Sequence, residues 1–280
     1  MTLLQKIRAI HRVLSVSLAS VVSVTCAVGP GALKFEYAPS KSPLRYVIDN
    51  EQEVLIETPM GDQKANDNTK ATVVLEIGEA REGGWLVSAE FEAFSGQATG
   101  AGNLDGADLL GKEFSGTLSQ DGTIEITDAP PITGQLAEMF DAKAFLADFL
   151  APLPPSGAVD LATWQVRRET VSNTQLTMTS AFVGTAIIVG DTTWNGETAK
   201  IILAAGTFTL KGSGTPAGSP AEMETMITGE ARTRYVWDGK NGVMLGATAR
   251  AEGKGAVTLV GMDMSMPMTL TVIQRVELQR

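Results

Sequence analysis

Apolar residues recur at every second position of this chain, in runs broken by glycine-containing turns, and that spacing points to an antiparallel sheet. Val73, Leu75 and Ile77 fall on one side of their run, against Thr72, Val74 and Glu76 on the other. Trp85, Val87, Ala89 and Phe91 oppose Leu86, Ser88, Glu90 and Glu92 in the same way, and Ile124 and Ile126 alternate with Thr123, Glu125 and Thr127. One-sided strands of this kind belong to antiparallel sheets with one wet face. Between the runs stand Gly83-Gly84, Asp121-Gly122, Asn195-Gly196, Asp238-Gly239 and Asn241-Gly242, residue types that accept the positive φ of tight hairpins. The expected fold class is therefore mainly β, an antiparallel meander, and the 29 glycines suit it.

One region departs from the period of two. From Ile132 to Ala151, after Pro130-Pro131, Leu136, Met139, Phe140, Phe145, Leu146, Phe149 and Leu150 recur at helical spacing. Asp141 is available as an internal cap if that helix is split, and Pro152, Pro154 and Pro155 stop it. A lone apolar-faced helix in a β protein covers a sheet. The proline-rich stop also reads as a joint, so the expected organisation is a segment 1–27, an N-terminal β lobe 28–155 containing the helix 132–151, and a C-terminal β lobe 156–280. Gly111 followed by Asp121-Gly122, and Gly229 followed by Asp238-Gly239, form a weak echo between the two lobes. Lys211 to Pro220 reads as a loop.

The first 27 residues set the expected compartment. Lys6, Arg8 and Arg12 precede an uncharged, largely apolar stretch from Val13, and no acidic residue appears before Glu36. That order is an export signal. Thr25-Cys26-Ala27 permits cleavage after Ala27, Cys26 stands in a loose lipobox as a lipidation candidate, and the uncharged stretch through Leu33 is just long enough to anchor if retained. Each reading is extracytoplasmic, in the periplasm or secreted. Removing the segment takes away three basic residues and no acidic one, which moves the net charge from -10 to -13. Such a surface repels phosphate backbones, and nucleic acid is excluded as a partner.

Cys26 and His11 are the only cysteine and histidine, and both lie in that segment. Ser-His-Asp and Cys-His catalysis then lack their base, and no serine lies in a G-x-S-x-G elbow. The chain is read as non-enzymatic, without cofactor. Gly100 to Gly106 has the wrong spacing for a phosphate loop and is read as a hairpin loop. Met262, Met264, Met266 and Met268 alternate with Asp263, Ser265, Pro267 and Thr269, which would put four thioethers on one strand face. Thioethers suit Cu(I), yet the same parity continues through Leu270, Val272, Val276 and Leu278, so core packing is preferred and no metal is assigned. Arg232 and Arg234 share the face of Glu230, opposite Ile227, Ala231, Tyr235 and Trp237, and are read as a solvated face.

Leu44-Arg45-Tyr46, Gly111-Lys-Glu-Phe-Ser-Gly before Asp121-Gly122, Leu153-Pro154-Pro155 and Thr163-Trp164 together make the chain resemble a group of secreted bacterial β-rich proteins and lipoproteins. Ala162 replaces the glycine usual there, and the shared motifs are structural, implying no catalytic residue. More distantly, sheets wrapped about an apolar helix resemble the lipoprotein-carrier half-barrels of the cell envelope. Two functions are expected. The first is an accessory protein docking on envelope or membrane proteins. The alternative is a carrier or sensor of a lipophilic small molecule, with Phe140, Phe145 and Phe149 on one wall and Met262, Met264, Met266 and Met268 on the other.

Overall fold

The alternating runs become long strands, most of them joined by hairpin turns that contain glycine. A computed structural model describes residues 35–99, 102–154, 163–174, 176–215, 221–262 and 264–279. The first half of the chain supplies β1 (Leu44–Thr58), β2 (Gly61–Arg81), β3 (Gly84–Ala98), β4 (Gly102–Leu104), β5 (Glu113–Ser119) and β6 (Ile124–Asp128). The second supplies β7 (Thr163–Asn173), β8 (Thr177–Trp194), β9 (Glu197–Gly214), β10 (Met223–Asp238), β11 (Val243–Leu259) and β12 (Met264–Gln279). All twelve belong to one antiparallel sheet, in the order β6-β5-β3-β2-β1-β12-β11-β10-β9-β8-β7 with β4 beside β3.

The two expected halves meet where β1 pairs with β12, from Arg45 opposite Gln279 to Ile56 opposite Met268. The remaining neighbours are hairpin partners or, for β3 and β5, strands separated by a short excursion. The sheet does not close, and β6 and β7 are its two edges. Gly100 and Ala101 lie outside the described residues, and Gly102 to Leu104 of that loop form β4. Lys211 to Gly214 of the expected loop are the end of β9, and 216–220 lie outside the description. The export segment with Cys26 and His11 lies outside it as well. No helix among the described residues is long and apolar enough to cross a membrane.

The expected single helix between Ile132 and Ala151 is two short ones, α1 (Gly134–Met139) and α2 (Ala142–Ala147). Phe140 is extended, and Asp141 caps α2 by accepting a hydrogen bond from the Ala144 N–H at 3.0 Å. The other carboxylate oxygen of Asp141 accepts from the Asn173 N–H at the end of β7, at 2.8 Å. One carboxylate thus sets both the break in the helix and the position of α2 against an edge strand.

Helical spacing still decides which side chains turn inward. Leu136, Leu146, Phe149 and Leu150 are buried against Tyr46, Val73, Phe91 and Leu118 of the sheet, each full burial contributing roughly 1.5 to 3 kcal/mol. Phe91 is fully buried and meets Phe114, Phe140 and Phe145 at centroid distances of 5.6, 6.2 and 5.9 Å. Buried phenols find carbonyl partners: Tyr37 donates to Ala151 and Tyr46 to Met244, both at 2.8 Å. This filled core lies under α1, α2 and the segment to Leu153. The same sheet face continues past that cover.

Candidate functional site

Beyond the helices, the inward positions of the long second-half strands carry small side chains between large ones. Ala204 on β9, Ala231 on β10 and Ala251 on β11 share that face with Phe182, Phe208 and Leu270. Cross-strand pairing puts Ala231 opposite Ala251, Ala251 opposite Val272, and Phe182 opposite Phe208. Alanines side by side remove the volume that leucines would fill. A methyl group at Gly253 would come within 2.7 Å of the Phe208 ring and 2.8 Å of Ile227, so glycine there lets Phe208 lie across the sheet.

What remains is a cavity of about 320 Å³. Packed interiors leave few voids larger than a water molecule, and ligand pockets begin at roughly 300 Å³. Its walls run from Gln52 on β1 to Val166 and Arg168 on β7, six strand steps apart in the sheet order. At about 4.8 Å per step a flat sheet would separate those strands by roughly 29 Å, so the sheet must curl strongly to bring both to one partly open space.

The polar groups at the cavity are few and unlike one another. Arg168, whose side chain is 8% exposed, donates to the Asp148 carboxylate at 2.7 Å and to the carbonyls of Leu150 at 2.9 Å and Asp148 at 3.3 Å. Its second terminal nitrogen donates to the Asp121 carbonyl at 3.4 Å, and the Leu153 N–H donates to the same carbonyl. The guanidinium therefore ties β7 to the chain leaving α2 and to the β5–β6 turn. Burial works against its charge, but Asp148 and the neighbouring phenols outweigh it and its pKa is raised. Burial raises the Tyr235 phenol against the opposing pull of the Arg168 charge, and the phenol stays protonated at neutral pH. Gln52 and Gln274 are half-buried, and their carboxamides have no hydrogen-bond partner among the described residues. No group of three metal-ligating side chains occurs among the described residues.

The residues expected to line a pocket are divided by the structure. Phe149 is buried and Phe140 and Phe145 are partly buried in the filled core, with Phe140 and Phe145 5.2 Å apart and Phe149 5.4 Å from Tyr46. Met266 and Met268 join a second cluster around Ile227, Val257 and Leu270, whereas Met262 and Met264 are exposed. The phenylalanines and methionines do not face each other across one space. The methionine cluster is continuous with the cavity wall through Phe208 and Leu270. Arg232 and Arg234 point outward, Arg232 in an exposed ion pair with Glu230 at 3.7 Å.

Arg168, Gln52 and Gln274 escaped the sequence reading, although each breaks an apolar parity. Arg168 follows Trp164 and Val166 on the inward side of β7, Gln52 stands with Asn50 between Ile48 and Val54, and Gln274 stands between Val272 and Val276. A polar residue at an inward position of an otherwise apolar strand face is the signal.

No family profile and no curated protein matches the chain. Among solved structures it is similar to DynF from the dynemicin biosynthesis pathway of Micromonospora chersina, at 10% identity over 89% of this chain and 85% of that one, TM-score 0.25. It is similar also to an outer membrane channel of Pseudomonas putida F1, at 10% identity over 90% of this chain and 100% of that one, TM-score 0.24. A Vibrio parahaemolyticus domain ascribed to outer membrane lipoprotein sorting matches at 11% identity over 83% of this chain and 85% of that one, TM-score 0.16. At these TM-scores the likeness assigns neither family nor function.

Proposed function

We propose that the chain is a non-catalytic carrier or sensor of a lipophilic molecule outside the cytoplasm, holding its ligand in the cavity of the curled sheet. The observation that carries this reading is the space itself: about 320 Å³, walled by Phe182, Phe208, Leu270 and alanines where larger residues would have closed it. Because the Phe140, Phe145 and Phe149 wall is filled, this reading puts the ligand on the neighbouring stretch of the same face. Native mass spectrometry of protein purified from its own host, followed by extraction in organic solvent, is expected to find a lipophile bound one to one. Ala251→Phe should abolish that occupancy while leaving the circular dichroism of the sheet unchanged. Protein that carries nothing, or a filled variant that retains its ligand, overturns the reading.

The docking reading has one observation in its favour. A depression of about 410 Å³ lies between edge strands β6 and β7, beside α2, and an extended peptide from an envelope protein could pair with the edge of β7 there. Co-purification of a stoichiometric envelope partner in mild detergent, lost on Val171→Pro, would support it.

A further inference from the structure

The chemistry of the cavity narrows the ligand. Asp148, Arg168 and Tyr235 are the ionisable side chains that line it. The first two neutralise each other at 2.7 Å, and the Arg168 guanidinium is further occupied by the carbonyls of Leu150, Asp148 and Asp121. Tyr235 keeps its proton, for the reasons given above. The cavity thus offers an anionic head group no uncompensated cation, and a cationic one no uncompensated anion. Burying an unpaired charge in such a place is costly enough to reject it.

Two side chains at the same wall are built differently. Gln52 lies opposite Val272 across the β1–β12 ladder, and Gln274 lies two residues further along β12, on the same face. Diagonal positions of this kind lie about 7 to 8 Å apart on the backbone, within reach of long side chains, so the two half-buried carboxamides can address one small polar group between them. A carboxamide offers both N–H donors and a carbonyl acceptor, so the pair can bind a carbonyl or a hydroxyl equally. Both carboxamides lack a protein partner among the described residues.

Resting on the carrier reading above, we infer that the ligand is an uncharged lipophile with a single hydrogen-bonding carbonyl or hydroxyl, its apolar body against Phe182, Phe208 and Leu270 and its polar group between Gln52 and Gln274. Fatty-acid anions and phospholipid head groups are excluded from the site.

The test is calorimetric titration of the delipidated protein with three probes of equal chain length: decan-1-ol, methyl decanoate and sodium decanoate, at pH 8. The alcohol and the ester should bind at least ten-fold more tightly than the anion. The double variant Gln52→Ala, Gln274→Ala should weaken the alcohol and the ester by about five- to ten-fold per lost hydrogen bond and leave the anion unchanged. Lowering the pH to 4, where decanoate is largely protonated, should bring the acid towards the alcohol. Decanoate binding as tightly as decan-1-ol at pH 8, or an unaltered double variant, overturns the assignment while leaving the carrier reading in place. If none of the probes binds, or all bind the Ala251→Phe protein as they bind the wild type, the carrier reading itself fails.

Discussion

Arg168 is the residue on which several parts of the molecule converge. Its guanidinium reaches three backbone carbonyls and one carboxylate, contributed by the chain after α2 and by the β5–β6 turn. Replacing it with methionine keeps the packing of the stem but strands carbonyls in a poorly hydrated place, each at about 1 to 3 kcal/mol. Arg168→Met should therefore lower the unfolding free energy in urea by about 2 to 4 kcal/mol. Asp148 is exposed, and water replaces its partner readily, so Asp148→Asn should cost less than about 1 kcal/mol. Equal losses in the two variants would show that the ion pair, rather than the carbonyl contacts, carries the stabilisation. Sequence pattern alone shows that Arg168 is turned inward on β7. The identity of its acceptors depends on a non-local approach of residues 121 and 148 to 150, which no local period encodes.

At the scale of elements, the helical period located the cover of the sheet and Asp141 marked its break, because capping chemistry is local. The same period does not specify that Phe140 leaves the helix, since burial against Phe91 and Phe94 decides that. The β5–β6 hairpin joins this cover through Gly122, which has φ +85° and carries its hydrogen where a methyl group would run into the Ala151 carbonyl. Gly122→Ala is expected to destabilise by about 2 to 4 kcal/mol, adding a steric clash to the cost of a positive φ. Thermal unfolding measures it, and a change under about 1 kcal/mol would mean that the segment after α2 shifts freely. Gly83 and Gly196, also at positive φ but with nothing near the missing methyl, should be far more tolerant.

For the molecule as a whole, the alternation of apolar and polar residues was enough to give the antiparallel class, and the glycine turns gave most of the hairpins. The curl of the sheet, and with it the cavity, was not legible. It depends on the sizes of side chains brought together from β8 to β12, and on a β1–β12 pairing that spans most of the chain. That pairing bears on how the two halves unfold. Trp85 reports on the first half and Trp237 on the second, so single-tryptophan proteins can follow each in turn. Their urea transitions should coincide, because breaking β1 from β12 exposes apolar surface on both sides at once. Two separated midpoints would show that residues 28–155 and 156–280 fold as independent lobes.

The same pairing has a consequence for biogenesis. β12 follows every other strand in the chain, yet it sits between β1 and β11 near the middle of the order. During synthesis or passage through a membrane the chain emerges from its N-terminal end, so β1 is among the first strands delivered and one of its sides stays open until β12 arrives. For that interval its unpaired amides, with the apolar Ile48, Val54 and Ile56 beside them, are a template for the wrong neighbour. Truncation just before Met264 should leave that interval permanent. The shortened chain would then be captured by holding chaperones or accumulate in assemblies, even though it retains eleven of the twelve strands.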